Sequence, residues 1–342
     1  MSESTRLPNG ANPLFSVIGR NEDVLCLVLG AHSFRYGLAG NPETLRVEPS
    51  VAWRYADTGE VLLNETSFGQ KAEQTLVCWP RREIERIHPF AGGVPVDRYL
   101  LTGLLRYVRN EMIDGGVATD PNVLLLTGRP RILEVIEPFL ADAAADAGFR
   151  SAIPVPEHLC LRRAASARRS ESAQTHIIVD VGHEGTRLYV YTGGEHRSDL
   201  AASGPCGGAE MLRAIRNATK THASLQIGPR TAETMLAELS AEGESAITVK
   251  GKHLATGRPA ERSFPRPVLI DALRPTHEAI RTLCHSALKD LPHEGRESPR
   301  VFLAGGAATP PLVRFLERSL HLPVTCPDDP ATLSAHALAA LP

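Results

Sequence analysis

The chain repeats one local plan twice, and this repetition limits the folds open to it more than any other feature. Short apolar runs punctuated by glycine occur at 24–29 and 34–38, and again at 177–181 and 188–191. Periodicity alone does not separate a short strand from a helix segment, but the flanking glycines favour strands. Each pair of runs therefore predicts a β-hairpin.

A second unit also occurs twice. An apolar run leads through a glycine-containing turn into a helical pattern at 122–148, and again at 301–320. A hairpin followed by strand, turn and helix, occurring twice, predicts an α/β protein of two similar lobes. We expect a central cleft between the lobes, with turns from both pointing into it, because ligands favour such interfaces.

Length and composition agree with two folded lobes. The chain has 342 residues and a mass of 36.9 kDa, and a single core seldom grows beyond about 250–300 residues. It is 42% hydrophobic and 22% charged, as folded globular proteins are. A net charge of −2 and a pI near 6.7 lack the basic footprint of a nucleic-acid binder. We expect no nucleic-acid partner.

The cysteines and the apolar runs predict a cytoplasmic location. Six cysteines occur without a C-x-x-C pair or a metal-ligand spacing, which suits a reducing compartment. No apolar run approaches the ~18–20 residues of a membrane-spanning helix, and the first ten residues are polar. An apolar patch at 13–18 could dip into a membrane interface, although packing on the first lobe is favoured.

Pro138 lies within the helical pattern that follows Thr127. Because proline lacks an amide hydrogen and clashes with the preceding turn, this helix either begins late, with Pro138 in its first turn, or kinks. We therefore expect Glu134 at the entry to the helix rather than in its middle.

Several short motifs follow one another in an order and at a spacing that resemble the MreB family, the bacterial actin homologues of the cell-shape cytoskeleton. Together they cover roughly residues 22 to 341. The matching segments are Glu48-Pro49-Ser50-Val51, 68–72, His88-Pro89 through Gly93-Val94 with Asp97, Asp180-Val181-Gly182, Gly208 with Glu210-Met211, 227–233, Gly251 with 254–259, 302–306 and Asp328-Asp329-Pro330.

The resemblance implies the actin architecture. In it each lobe has a mixed sheet with flanking helices and carries a smaller inserted subdomain, and ATP lies in the central cleft between the lobes. It places lobe I at 22–150 plus 315–342, with its subdomain at about 45–83, and lobe II at 151–314, with its subdomain at about 208–261. Members of the family form filaments on the inner face of the membrane and organise peptidoglycan synthesis. The implied partners are the chain itself or an intact MreB-like relative, the cell-wall elongation machinery, and the inner membrane as a peripheral contact.

The resemblance also implies site residues. Glycine-rich turns present amide groups to phosphates, carboxylates hold Mg²⁺ through water, and a polar residue orients the attacking water. Asp180 is the implied carboxylate of the magnesium shell, acting through water, and Glu134 is the implied catalytic residue. The implied nucleotide-binding positions are Gly30, Ala31, His32, Ser33, Asp180, Gly182, Thr186, Gly208, Glu210, Gly305 and Gly306.

The same comparison shows departures from the family pattern. Val28 replaces the magnesium-side aspartate of the first hairpin, and His183 and Glu184 replace two glycines of the second. Glu184 would put negative charge near a polyphosphate. We therefore expect a cell-shape and cell-wall scaffold whose ATP and Mg²⁺ binding is weakened or lost, with residual ATPase activity at most. Two alternatives stay open: a filament protein that binds and hydrolyses ATP, and a kinase of the same superfamily.

Overall fold

The computed structural model describes residues 23–62, 68–75, 84–91, 96–166, 175–241, 245–291 and 299–340. The chain divides into two compact units, one formed by Met1–Ala164 with Ser334–Pro342 and the other by Ala165–Leu333. Each unit is an α/β structure with a mixed sheet, as predicted.

The main sheet of the first unit has five strands in the order β3-β2-β1-β6-β7. A separate two-stranded sheet pairs β4 with β5. The strands are β1 (Val24–Leu29), β2 (Ser33–Leu38), β3 (Asn41–Pro49), β4 (Ala52–Tyr55), β5 (Ile84–Ile87), β6 (Val123–Gly128) and β7 (Ser151–Pro154). The helices are α1 (Gly69–Thr75), α2 (Arg98–Asp114), α3 (Pro130–Asp146), α4 (Glu157–Ser166) and, near the end of the chain, α9 (Leu333–Ala339).

The main sheet of the second unit has the order β10-β9-β8-β15-β16, with β11 also paired to β9, and a three-stranded sheet has the order β12-β13-β14. The strands are β8 (His176–Val181), β9 (Thr186–Thr192), β10 (Glu195–His196), β11 (Ala202–Gly204), β12 (Leu225–Gln226), β13 (Ala246–His253), β14 (Pro259–Pro265), β15 (Arg300–Ala304) and β16 (Val324–Thr325). The helices are α5 (Gly208–Ala223), α6 (Pro229–Ser240), α7 (Arg266–Lys289) and α8 (Pro310–Leu320), and Ser198–Leu200 forms a 3₁₀ turn.

The two units repeat one topology. In the first, β1 pairs antiparallel with β2 and parallel with β6, which pairs parallel with β7. In the second, β8 pairs antiparallel with β9 and parallel with β15, which pairs parallel with β16. The repetition predicted from the sequence is therefore confirmed at the level of strand order and direction.

Strand β1 shows why the first sheet has helices on both faces. All six of its residues are buried. Leu25, Leu27 and Leu29 pack in a cluster with residues of α2 and α3, whereas Val24, Cys26 and Val28 pack with residues of α4 and α9. Successive side chains of a strand point to opposite faces, so an unbroken apolar run is buried on both sides.

The structure settles the question raised by Pro138. Helix α3 begins at Pro130, which occupies its first turn, and Pro138 lies inside the helix. The alternative of a late start is therefore wrong. Pro138 is exposed, so the carbonyl of Glu134 that loses its helical partner lies on the solvent side of α3, where water can bond to it.

The units differ from the predicted lobes in their boundaries. They divide at 164/165 and 333/334, whereas the predicted lobes divide at 150/151 and 314/315. The second difference arises because Val324–Thr325 pairs with β15, which keeps α8 and β16 in the second unit. The inserted subdomains stay a prediction. Among the described residues, no helix is both long and apolar enough to span a membrane.

Candidate functional site

The first hairpin brings Gly30, Ala31, His32 and Ser33 together in the turn between β1 and β2. Ala31 is buried and His32 is exposed. A side chain at Gly30 would place its Cβ only 2.5 Å from the carbonyl oxygen of Ser33. The turn is therefore so tight that its first position suits only glycine.

Ser50 holds this turn from the end of β3. Its hydroxyl donates to the carbonyl of Gly30 at 2.5 Å, and its amide donates to the carbonyl of His32 at 2.9 Å. Nδ1 of His88 donates to the carbonyl of Ser50 at 2.9 Å. Burial, with a contribution from Arg86, lowers the pKa of His88, so its imidazole is neutral at pH 7. Ser50 therefore stabilises the turn directly, and His88 stabilises it indirectly by fixing Ser50.

Val28 and Glu134 are the other predicted positions of the first unit. Val28 is 4% exposed and belongs to the apolar cluster between the sheet and α4 and α9. Glu134 is exposed, one turn into α3. The first turn of α3 contains no acidic residue, so Glu134 lies in the second turn rather than at the helix entry where it was expected. Its catalytic role stays a prediction.

The second hairpin places Asp180 at the end of β8, opposite Arg187 of β9. Asp180 is 6% exposed, and Nη2 of Arg187 lies 3.2 Å from its Oδ2. A guanidinium this close to a buried carboxylate neutralises it and donates to it. Sequence analysis missed Arg187. The sequence did contain a signal for it. In a hairpin in which residue 181 pairs with residue 186, residue 180 pairs with residue 187, so Arg187 must lie opposite Asp180.

The N-terminus of α5 contacts the turn of this hairpin through two hydrogen bonds. The amide of Gly208 donates to the carbonyl of Gly182 at 2.9 Å, and the amide of Ala209 donates to the carbonyl of His183 at 2.7 Å. Gly207 permits the contact, because a Cβ there would lie 2.4 Å from the oxygen of Gly182. These amides, which a helix N-terminus could offer to an anion, are thus bonded to the protein itself.

Thr186 and Glu210 have partners within the second unit. Thr186 is buried, and its hydroxyl donates to the carbonyl of Cys206 at 2.5 Å. Glu210, in the first turn of α5, forms an ion pair with Arg213 at 2.7 Å. The hydroxyl hydrogen of Thr186 is therefore committed to a backbone oxygen rather than available to a phosphate.

The turn after β15 completes the group. Gly305 has a φ of +91°, and a Cβ there would lie 2.5 Å from Oδ1 of Asp180. Its amide donates to the carbonyl of Pro330 at 2.9 Å, and Gly306 is exposed beside it. Asp180, Gly182, Gly208 and Gly305 therefore do come together, as expected.

Asp180 as placed in the second unit does not suit a hydrated Mg²⁺. The ion needs carboxylate oxygens that are open to its water shell. Asp180 is buried and paired with Arg187. Among the residues that the structure describes, no group of three histidine, cysteine or acidic side chains is arranged to hold a metal.

The family model of the MreB/Mbl protein matches residues 39–341. The chain belongs to the MreB/Mbl family. Among solved structures it is similar to MreB5 of Spiroplasma citri bound to AMPPNP, with a TM-score of 0.75, 19% identity, and coverage of 93% of this chain and 95% of that one. The ADP-bound form of MreB5 gives the same TM-score and identity over 92% and 94% of the two chains.

A non-polymerising mutant of MamK bound to AMPPNP is also similar, with a TM-score of 0.63, 16% identity, and coverage of 94% of this chain and 98% of that one. At these identities the likeness shows the fold, which is actin-like, as the motifs predicted. The resemblance drawn from the sequence is therefore confirmed for family and fold. The apolar patch at 13–18 and the motif positions Gly93 and Val94 lie outside the described residues.

Proposed function

We propose that this MreB-family chain is a cytoskeletal scaffold whose nucleotide site has lost its magnesium chemistry. The observation that carries the proposal is the ion pair between Asp180 and Arg187, which gives the buried carboxylate a permanent cation of its own. A hydrated magnesium ion would have to displace a guanidinium that is itself largely buried, with a side chain only 15% exposed. The ion would leave that guanidinium without its carboxylate, which opposes magnesium binding because an unpaired buried charge is strongly destabilising.

The other implied phosphate contacts support the same proposal. The hydroxyl of Thr186 and the first two amides of α5 donate to backbone carbonyls. An anion at this turn would therefore compete with existing hydrogen bonds. MreB5 of Spiroplasma citri binds AMPPNP and ADP. For this chain we propose weak nucleotide binding without magnesium dependence, and ATP turnover far below that of an intact MreB.

Calorimetry with ATP, in the presence of Mg²⁺ or of a chelator, tests the proposal. We expect the same weak affinity under both conditions. The variant Asp180→Asn keeps the shape of the side chain and should not weaken ATP binding, because in this proposal the carboxylate holds Arg187 rather than magnesium. The matched control is Asp199→Asn, which removes an exposed carboxylate paired with Arg197 in the same unit. Firm magnesium-dependent binding that disappears in Asp180→Asn alone would show the proposal to be wrong.

We further propose that the chain assembles into filaments in the cytoplasm, alone or with an intact MreB-like relative. Membership of the family and the actin-like fold support this step. The same family membership supports a role for the chain in cell-wall elongation at the inner membrane. Electron microscopy of the purified chain, with and without ATP, an intact relative and a lipid surface, tests it. A chain that stays monomeric in every mixture would contradict the scaffold role.

A further inference from the structure

A cavity of about 430 Å³ lies between α7 and α8 in the second unit. It is separate from the hairpin turn that holds Asp180 and Gly182, since none of that turn's residues line it. Its volume is that of a site for a small molecule, for which the usual range is about 300–1,000 Å³. Its lining includes Ile270, Arg274 and His277 of α7 and Arg314, Phe315 and Arg318 of α8.

The cavity is strongly basic. Arg314 and Arg318 are one turn apart on α8 and therefore share a face of the helix. Within the described chain, no carboxylate forms an ion pair with either of them. Arg274 does have one, with Asp271 at 2.6 Å. Two guanidinium charges thus remain for a ligand, and the planar fork of arginine suits phosphate oxygens.

His277 adds a buried polar group. It is 2% exposed, and among the described atoms its Nε2 has no hydrogen-bond partner. Leaving a buried donor or acceptor unpaired costs about 1–3 kcal/mol, so native structures seldom keep one without a reason. Nε2 itself has almost no accessible surface, so His277 forms part of the cavity wall through its ring and offers no contact to a ligand through this nitrogen.

One wall of the cavity is apolar. The rings of His277 and Phe315 lie with their centroids 5.5 Å apart at 44°, and Ile270 lines the cavity beside them. An inorganic ion would leave this wall without a contact. A ligand with an apolar or aromatic part would cover it.

From the basic face and the apolar wall we propose that the cavity binds a small soluble organic phosphate monoester. Arg314 and Arg318 hold its doubly charged phosphate, and its apolar part lies on Phe315. Two guanidinium charges match the two charges of such a monoester at neutral pH. This inference does not depend on the proposed loss of magnesium chemistry, because the two sites share no residue.

The test uses phenyl phosphate as the probe, titrated into the full chain and followed by calorimetry at pH 7.5. We expect saturable binding with one site per chain. The double variant Arg314→Gln/Arg318→Gln should bind at least tenfold more weakly. The matched control is Arg258→Gln/Arg262→Gln, which makes the same change of charge on the β13–β14 hairpin and should bind as the wild type does.

A second variant, His277→Phe, keeps a ring against Phe315 while removing the unpaired nitrogen. We expect it to fold, as judged by its melting curve, and to bind phenyl phosphate as the wild type does, because the nitrogen is not exposed to the cavity. Phenol, which lacks the phosphate, should not bind measurably. Absence of saturable binding by phenyl phosphate would overturn the proposal, as would equal weakening by the two double variants. So would sedimentation with phosphatidic acid vesicles without binding of the soluble probe, because the occupant would then be a membrane.

Discussion

Glu48 is the most consequential buried charge in the first unit. Its side chain accepts hydrogen bonds from the hydroxyl of Tyr36 at 2.5 Å, the hydroxyl of Tyr107 at 2.6 Å and the amide of Gln70 at 3.0 Å. Burial and the neighbouring carboxylate raise the pKa of both phenols well above the ordinary value, so both remain donors at neutral pH. One carboxylate thereby joins β2, β3, α1 and α2.

The geometry gives the expected cost of Glu48→Gln. A hydrogen bond to a charged group contributes about 1.5–3 kcal/mol, against about 0.5–1.5 kcal/mol for a neutral one. Three bonds each lose about 1 kcal/mol, and the amide group that replaces one oxygen can still bond to a phenol by donating. We therefore expect a destabilisation of about 2–3 kcal/mol. Glu48→Ala should cost more, because it leaves two buried phenols without an acceptor.

Hydrogen exchange at the amide of Gln70 is the most direct assay, since that amide donates to Glu48. In Glu48→Gln its protection should fall, together with the melting temperature. The matched control is Glu60→Gln, which makes the same substitution at an exposed position of the same unit and should change stability by less than about 0.5 kcal/mol. If Glu48→Gln also stays within that limit with unchanged protection at Gln70, the reasoning is refuted.

Three further changes have expected outcomes. Gly305→Ala should destabilise the second unit by about 2–4 kcal/mol in denaturant unfolding, because φ is +91° and the new Cβ meets Asp180; Gly228→Ala, in open space, is its control. Val28→Asp should lower the melting temperature sharply and fail to create magnesium binding, since it buries an unpaired carboxylate. Burial lowers the pKa of His277 from 6.5 to about 4, so the unfolded chain takes up the proton first as pH falls. Stability should therefore decline by about 3 kcal/mol between pH 6.5 and 4, a slope that His277→Phe removes.

The fold could be predicted because its signal is local and repeated. Apolar runs ending at glycine gave both hairpins, and the structure has them at Val24–Leu38 and His176–Thr192. Helix α3 was harder, because Pro130 and Pro138 each qualify as a first-turn proline. A proline is tolerated inside the helix when the carbonyl that loses its hydrogen bond faces solvent. Whether Pro138 lies on the solvent side of α3 is known only once the helix has packed on the sheet.

The candidate site could be predicted only in part. Motif positions identified which residues share a turn, and Asp180, Gly182 and Gly305 do meet. They did not identify partners. Thr186 donates to Cys206 because β11 pairs with β9 and brings that carbonyl to it. His277 lies in no motif, and its unpaired nitrogen depends on the packing of α7 against α8.

The glycines at these turns carry less information about nucleotide binding than their presence suggests. At Gly207 a side chain would collide with the carbonyl of Gly182, and at Gly305 with the carboxylate of Asp180. Both glycines are therefore required by contacts of the protein with itself, whether or not a phosphate is bound. His183 and Glu184, which replace two glycines of the family pattern, are both half-buried in the turn between β8 and β9. A match to glycines at such turns accordingly identifies the fold, whereas the pairing of Asp180 with Arg187 is the feature from which the nucleotide chemistry has to be inferred.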